Sequence, residues 1–189
     1  MSLDVKRTRI ADGIFFTAIS SSKFKTNRVS VSFIAPLKVE TASDYALLPL
    51  ILKKGFRDCP NPADFQKLLM GLYGASCDGD VRKLGDNQLI SLSISAIDDK
   101  FTLGGEKTSI EISKILCSLL LDPVTQDGEF KKEFFETEKK ALIDQIKAEL
   151  NNKRTLAATR CQQIVYEGES AAIGKLGLLS EAEKLNCRE

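Results

Sequence analysis

The sequence predicts an α+β fold, an antiparallel sheet with helices packed on one face, and two observations predict it. Segments that alternate with period two, residues 28–33 and 88–97, stand beside segments with helical spacing, residues 62–72, 108–121 and 128–152. Their order is strand, strand, helix, helix, strand, strand, helix, long helix. That order lacks the regular strand–helix alternation of a parallel sheet. A chain of 189 residues suits a single module over residues 1–189, large enough to bury about 70% of its unfolded surface without disulfide or metal.

The first strand is expected over residues 14–19, followed by a polar turn from Ser20 to Lys25. Residues 28–33 then alternate, with Val29, Val31 and Phe33 on one face and serines on the other, so the pair reads as a hairpin with one wet face. Residues 44–55, the most apolar run of the first third, read as a buried helix. It opens behind Ser43 as N-cap, closes on Lys53, Lys54 and Gly55, and carries Pro49 inside it. Asn61-Pro62 starts a second helix with proline at its first position, bearing Phe65, Leu68, Leu69 and Leu72, and Gly74 ends it.

Strands over residues 75–84 and 88–97 are joined by Gly85-Asp86-Asn87, a turn-forming triplet. In the second, Leu89, Ser91, Ser93 and Ser95 alternate with Ile90, Leu92, Ile94 and Ala96. Gly104-Gly105 precedes a helix over residues 108–121 with the stripe Ile112, Ile115, Leu116 and Leu119, and Pro123 ends it. Residues 128–152 read as one long helix. Phe130, Phe134, Phe135, Leu142, Ile146 and Leu150 lie inward, with a solvated charged face that includes Glu138. A helix over residues 155–166, a glycine-containing loop and a short helix from Ser180 close the chain.

Composition narrows function mainly by exclusion. Net charge is +1 with both signs interleaved, so no footprint for nucleic acid or a membrane surface appears. No apolar run approaches the 20 or so residues that span a bilayer, and the N-terminus lacks a signal-peptide core, which makes a cytoplasmic site the default expectation. Met1-Ser2-Leu3 reads as a tag remnant. Cys59, Cys77, Cys117, Cys161 and Cys187 are odd in number, without any C-x-x-C pair, and read as reduced thiols. The chain contains no histidine, which removes Ser-His and Cys-His dyads and the commonest zinc ligand. Asp78, Asp80 and Asp86 lack a calcium-loop pattern, and Ser91, Ser93 and Ser95 lack a base.

The order of elements, with Leu72-Tyr73-Gly74-Ala75, Asp122-Pro123 and residues 134–146 including Glu138-Lys139 as anchors, resembles the first module of the insulinase-type zinc peptidases (M16). The likeness runs from about Thr8 to Asn186. It implies that the chain is a fragment of a longer multi-module protein and lacks elements that complete its sheet. In that family the helix equivalent to residues 44–55 carries His-x-x-Glu-His, with a glutamate from the long helix as third ligand. The histidines sit one turn apart and meet one zinc ion while the glutamate polarises water. Counted back from Gly55 and on from Glu138, those positions fall on Ala46, Pro49, Leu50 and Gln145, with Asp144 one residue away. A one-residue shift of the first motif gives Tyr45, Leu48 and Pro49, which offers no ligand set either.

Together with its Ala-Leu-Leu-Pro string, the chain therefore resembles the non-catalytic bacterial branch of the family. The resemblance implies no catalytic or metal residues and no cofactor of its own. It also implies zinc only in a catalytic partner, a heterodimer with that zinc-bearing homologue, and a clamshell closing on an extended peptide. Two other readings stay open: an active zinc-dependent peptidase with an atypical ligand set, and an interaction module that binds no peptide.

Overall fold

The computed structural model describes residues 4–187, apart from the side chain of Leu150; Met1-Ser2-Leu3 and the inward placement of Leu150 lie outside what is described. Strands β1 (Asp4–Ala11), β2 (Ile14–Ser20) and β3 (Thr26–Pro36) lead into helices α1 (Ala42–Leu52) and α2 (Pro62–Gly71). Strands β4 (Ser76–Leu84) and β5 (Asn87–Ile97) precede α3 (Thr108–Leu121). The minimal strands β6 (Thr125–Gln126) and β7 (Glu129–Phe130) precede α4 (Lys132–Asn151), α5 (Lys153–Val165) and α6 (Leu179–Lys184).

The main sheet is antiparallel in the order β3-β5-β4. Its inner face is set by register: Val29 pairs with Ile94 and Val31 with Leu92 across one seam, and Cys77 with Ile94 and Val81 with Ile90 across the other. Helix α3 lies over β3 and β5, and α1 over β4 and β5. Both helices cover the same face, as an amphipathic sheet requires. One apolar cluster joins Leu92, Ile94 and Ala96 to Phe65, Leu69, Ile112, Leu116 and Leu119. A second joins Val81 and the inner side of α1 to α4 and α6.

The expected hairpin between residues 14–19 and 28–33 does not form. β2 pairs instead with β1, and β3 with β5, eleven residues in unbroken register from Thr26 opposite Ile97 to Pro36 opposite Asn87. β1 escapes a sequence reading because Lys6, Arg7 and Arg9 dilute its apolar content. β3 gains more from β5, whose alternation matches its own, than from β2, which is apolar on both faces. Phe33, although in phase with Val29 and Val31, stays 49% exposed.

Two further boundaries differ from expectation. The cap of α1 is Thr41, and Ser43 lies in the first turn, fully buried, its Oγ donating to the Leu176 carbonyl at 3.1 Å. α4 starts at Lys132 because Asp127 and Gly128, both at positive φ, turn the chain so that residues 129–130 pair with 125–126. Phe130 thus belongs to β7. α2 is capped as expected, with Asn61 Oδ1 accepting from Ala63 N at 2.8 Å.

Asp99 seats the start of α3. Its carboxylate accepts from the Ser109 N–H at 2.9 Å, the Ser109 hydroxyl at 2.8 Å and the Thr108 hydroxyl at 2.9 Å. The Ser109 backbone bond, followed by its hydroxyl, holds the carboxyl below its ordinary value. A lowered folded-state pKa makes this contribution to stability complete above the unfolded value, about 3.9, and lost as pH falls through the folded value. Protection factors for amide exchange at residues 108–111, corrected for the intrinsic pH dependence, are therefore expected to fall below about pH 4 in the parent, and Asp99→Asn to abolish that fall.

Candidate functional site

The positions to which the family resemblance assigns metal chemistry fall on α1 and α4, which pack against each other. α1 forms despite Pro49, which supplies no N–H. Its carbonyl still accepts from Lys53 N at 3.4 Å, so the helix runs through it to Leu52. α4 places Leu142 and Ile146 one turn apart on one side, facing Ala46, Leu47 and Ile51. The seam between the two helices is aliphatic.

Each of the four motif positions can be placed in this frame. Ala46 is buried at 2% exposure in the cluster with Leu142 and Ile146. Pro49 is buried toward the sheet, where a Cβ on Gly79 of β4 would come within 2.8 Å of its carbonyl oxygen. Leu50 is half-buried and packs on the same cluster as Ile143. Gln145 is exposed on α4, next to buried Ile146, and Asp144 is exposed as well. The structure thus brings α1 and α4 together through aliphatic side chains, while Gln145 and Asp144 stay outside the seam. Among the described residues no group of three His, Cys, Asp or Glu side chains could hold a metal ion.

The sequence reading put Glu138 on a solvated face, and the structure corrects this. Glu138 is 6% exposed, and its Oε1 lies 2.5 Å from Lys54 Nζ, at the residue after the cap of α1. Lys54 places its cation where the α1 dipole is negative, a signal visible as Lys53-Lys54 at the helix end, though not its partner 84 residues on. Glu138 lies on the α4 face that also carries the buried Phe134, Phe135 and Leu142, which is why it is covered.

A second set of polar groups, absent from the sequence reading, fastens the loop before α6 to α1 and the sheet. Lys83 Nζ donates to the Ala171 and Ile173 carbonyls, and Gln88 Nε2 donates to the Ala42 carbonyl at 2.9 Å and the Lys175 carbonyl at 2.8 Å. Burial lowers the Lys83 pKa. Gly177, at φ +77°, backs directly onto Ser43 in the first turn of α1, where any side chain would collide with the serine hydroxyl. Behind this loop a small cavity of about 210 Å³, lined by Ile146, Leu156 and Leu176 with Glu149 and Arg160 at its rim, lies between α4 and α5.

Nucleophilic chemistry finds little support. Ser32 and Ser91 share a hydrogen bond of 2.8 Å, and Arg28 donates to Ser93 at 2.9 Å, with no base at either serine. All five cysteines are free. Burial pushes the Cys77 thiol up to about 11, and burial likewise raises Cys59 and Cys187, the opposite of what an attacking thiolate requires. Asp80 pairs with Arg82 on the open face of β4.

No family model matches the chain. Among curated proteins it is 23% identical over 177 residues to the probable inactive metalloprotease YmfF of Bacillus subtilis, covering 94% of this chain and 42% of that protein. The chain spans about two-fifths of the length of that relative. Among solved structures, a conserved protein from Enterococcus faecalis superposes with a TM-score of 0.90 at 24% identity, over 97% of this chain and 43% of that one. An inactive domain of peptidase M16 from Pseudomonas fluorescens superposes with a TM-score of 0.59 at 15% identity, over 96% of this chain and 42% of that one. The fold is that of M16 peptidases, an α+β module. The resemblance to the family's non-catalytic branch is shared by relatives themselves described as inactive. No helix among the described residues is long and apolar enough to cross a membrane.

Proposed function

We propose that this chain, an M16-type module resembling non-catalytic peptidase homologues, is part of a longer protein that shapes the peptide-binding chamber of a zinc-bearing homologue. The observation that carries the reading is the α1–α4 seam. Of the positions where the family resemblance puts metal and base, Ala46 lies in this seam with Leu142 and Ile146, Leu50 packs against the same cluster, Pro49 faces the sheet and Gln145 is exposed, and the seam is tied at one end by Lys54 and Glu138. A packed seam preserves the scaffold while offering no ligands, so binding rather than catalysis is what such a scaffold retains. Main-chain pairing at a sheet edge would hold an extended peptide with little regard to its sequence.

The deciding experiment is a pull-down of the full-length protein from its own cell extract, with mass spectrometry of what accompanies it. Recovery of a homologue bearing His-x-x-Glu-His in near-equal amount is the expected result. Recovery of nothing at low salt favours a stand-alone binding protein, and stoichiometric zinc with chelator-sensitive peptide cleavage by the purified protein overturns the non-catalytic reading.

The register of the lost site is tested separately. The variant Ala46→His, Pro49→Glu, Leu50→His and Gln145→Glu is expected to take up one zinc ion in a titration. Because Ala46 and Pro49 are buried, its metal-free form should be less stable than the parent. A variant that stays folded by circular dichroism and takes up no zinc means that the register is wrong.

A further inference from the structure

We propose that the cavity between α4 and α5 binds a free aliphatic α-amino acid the size of leucine, with its side chain among Ile146, Leu156 and Leu176, its carboxylate on Arg160 and its ammonium on Glu149. The inference stands apart from the functional reading above and starts from α5. None of its residues is buried, and the three that are half-buried, Leu156, Thr159 and Gln163, all line the cavity. With Arg160 they fall at i, i+3, i+4 and i+7, the inward stripe of a helix. A helix packed on a core carries apolar residues at those places. Here three of the four are polar, while Ile164 and Val165 stay 75% and 65% exposed. α5 therefore turns a largely polar side to the cavity and spends its bulkiest apolar residues elsewhere.

The walls are fixed independently of any ligand. Asn152 ends α4 and caps α5, its Oδ1 accepting from Arg154 N and Thr155 N at 3.2 Å, so the two helices meet at a capped turn. The loop on the opposite side is fastened through the Ile173, Lys175 and Leu176 carbonyls to Lys83, Gln88 and Ser43. A site built in advance loses little to ordering when it is filled.

The rim carries one charge of each sign, and the two do not pair. Among the described residues neither Glu149 nor Arg160 makes an ion pair, and Arg160 Nη1 donates to Gln163 Oε1 at 3.0 Å. That bond orients the guanidinium and leaves most of its N–H donors unused. A ligand with only a carboxylate would meet Glu149 as a like charge, and one with only an amine would meet Arg160. A zwitterion answers both. The carboxyl end of a peptide lacks the ammonium and the amino end lacks the carboxylate, so the two charges together select a free amino acid. Volume sets its size. An aliphatic cavity of about 150 Å³ holds benzene, so about 210 Å³ has room for on the order of eight non-hydrogen atoms, close to leucine.

Titration of L-leucine into the full-length protein, followed by methyl NMR at Ile146, Leu156 and Leu176, tests the proposal. It is run to about 10 mM, where a site with a Kd of about 1 mM is about nine-tenths filled, and saturable shifts at all three residues are expected. L-leucinamide lacks the carboxylate and N-acetyl-L-leucine the ammonium, and each is expected to bind at least about tenfold more weakly, as loss of a charged hydrogen-bonding group entails. Arg160→Gln should bring leucine down to the level of leucinamide, and Glu149→Gln to that of N-acetyl-L-leucine, with both variants keeping the circular dichroism of the parent. Absence of saturable shifts overturns the proposal. So does binding of leucinamide or N-acetyl-L-leucine as tight as that of leucine, which would make the ligand a peptide end, and so does unchanged leucine binding in both variants, which would put the amino acid elsewhere.

Discussion

Gly79→Ala is expected to destabilise the protein by about 3 kcal/mol, the upper end of what added methyl groups in a packed interior usually cost. Gly79 lies in β4 beneath α1, and a Cβ there would stand 2.8 Å from the Pro49 carbonyl oxygen and 2.9 Å from the Pro49 Cβ. Both are held by the helix, so no side-chain rotation relieves the clash, and α1 must lift off the sheet. Lifting it would open both apolar clusters, because Leu52 belongs to one and Ala46, Leu47 and Ile51 to the other. A loss of that size lowers the melting temperature of a domain this large by about 6–12 °C. Gly71→Ala is the control. A Cβ there meets nothing within 4 Å, the site is helical, and stability should hold or rise by up to about 1 kcal/mol. If Gly79→Ala unfolds at the parent's denaturant midpoint, α1 is not seated on β4 as described.

That close approach also shows what a sequence makes legible. α3 is readable to the residue, since Gly104-Gly105 and Pro123 bracket a clean helical stripe. β4 and β5 are readable because Gly85 supplies the positive φ that a two-residue hairpin loop needs between two alternating runs. Local grammar carries such elements. The partner of β2, by contrast, depends on which of several apolar edges competes best, and proximity in sequence pointed to β3. The candidate site divides the same way. Its four positions are what the family resemblance implies when counted along α1 and α4, whereas the packing of Ala46 with Ile146 spans 100 residues and has no local signature. Glu138 was obscured for the same reason: on a helix crowded with charges, only the fold decides which carboxylate is covered.

Lys54→Met should cost about 2 kcal/mol, and the loss should come from the charge that it strands. Glu138 keeps 8% side-chain exposure and Lys54 26%, with 2.5 Å between Lys54 Nζ and Glu138 Oε1. Removing one partner of a fully buried pair costs about 3–5 kcal/mol, chiefly because the other charge is left uncompensated, and the partial exposure of Lys54 lets water recover some of that. Replacing both, Lys54→Met with Glu138→Met, removes the stranded charge and should return most of the stability. A double-mutant cycle by urea denaturation would then give a coupling of at least 1 kcal/mol, well above the median for exposed ion pairs. Salt sharpens the distinction, since a covered pair is screened far less than an exposed one, so the coupling should persist at 0.5 M salt. If Lys54→Met falls within about 0.5 kcal/mol of the parent, the pair is an ordinary surface contact. The α1–α4 seam would then be held by its aliphatic packing alone, and Glu138 would have no part in fixing how the two helices meet.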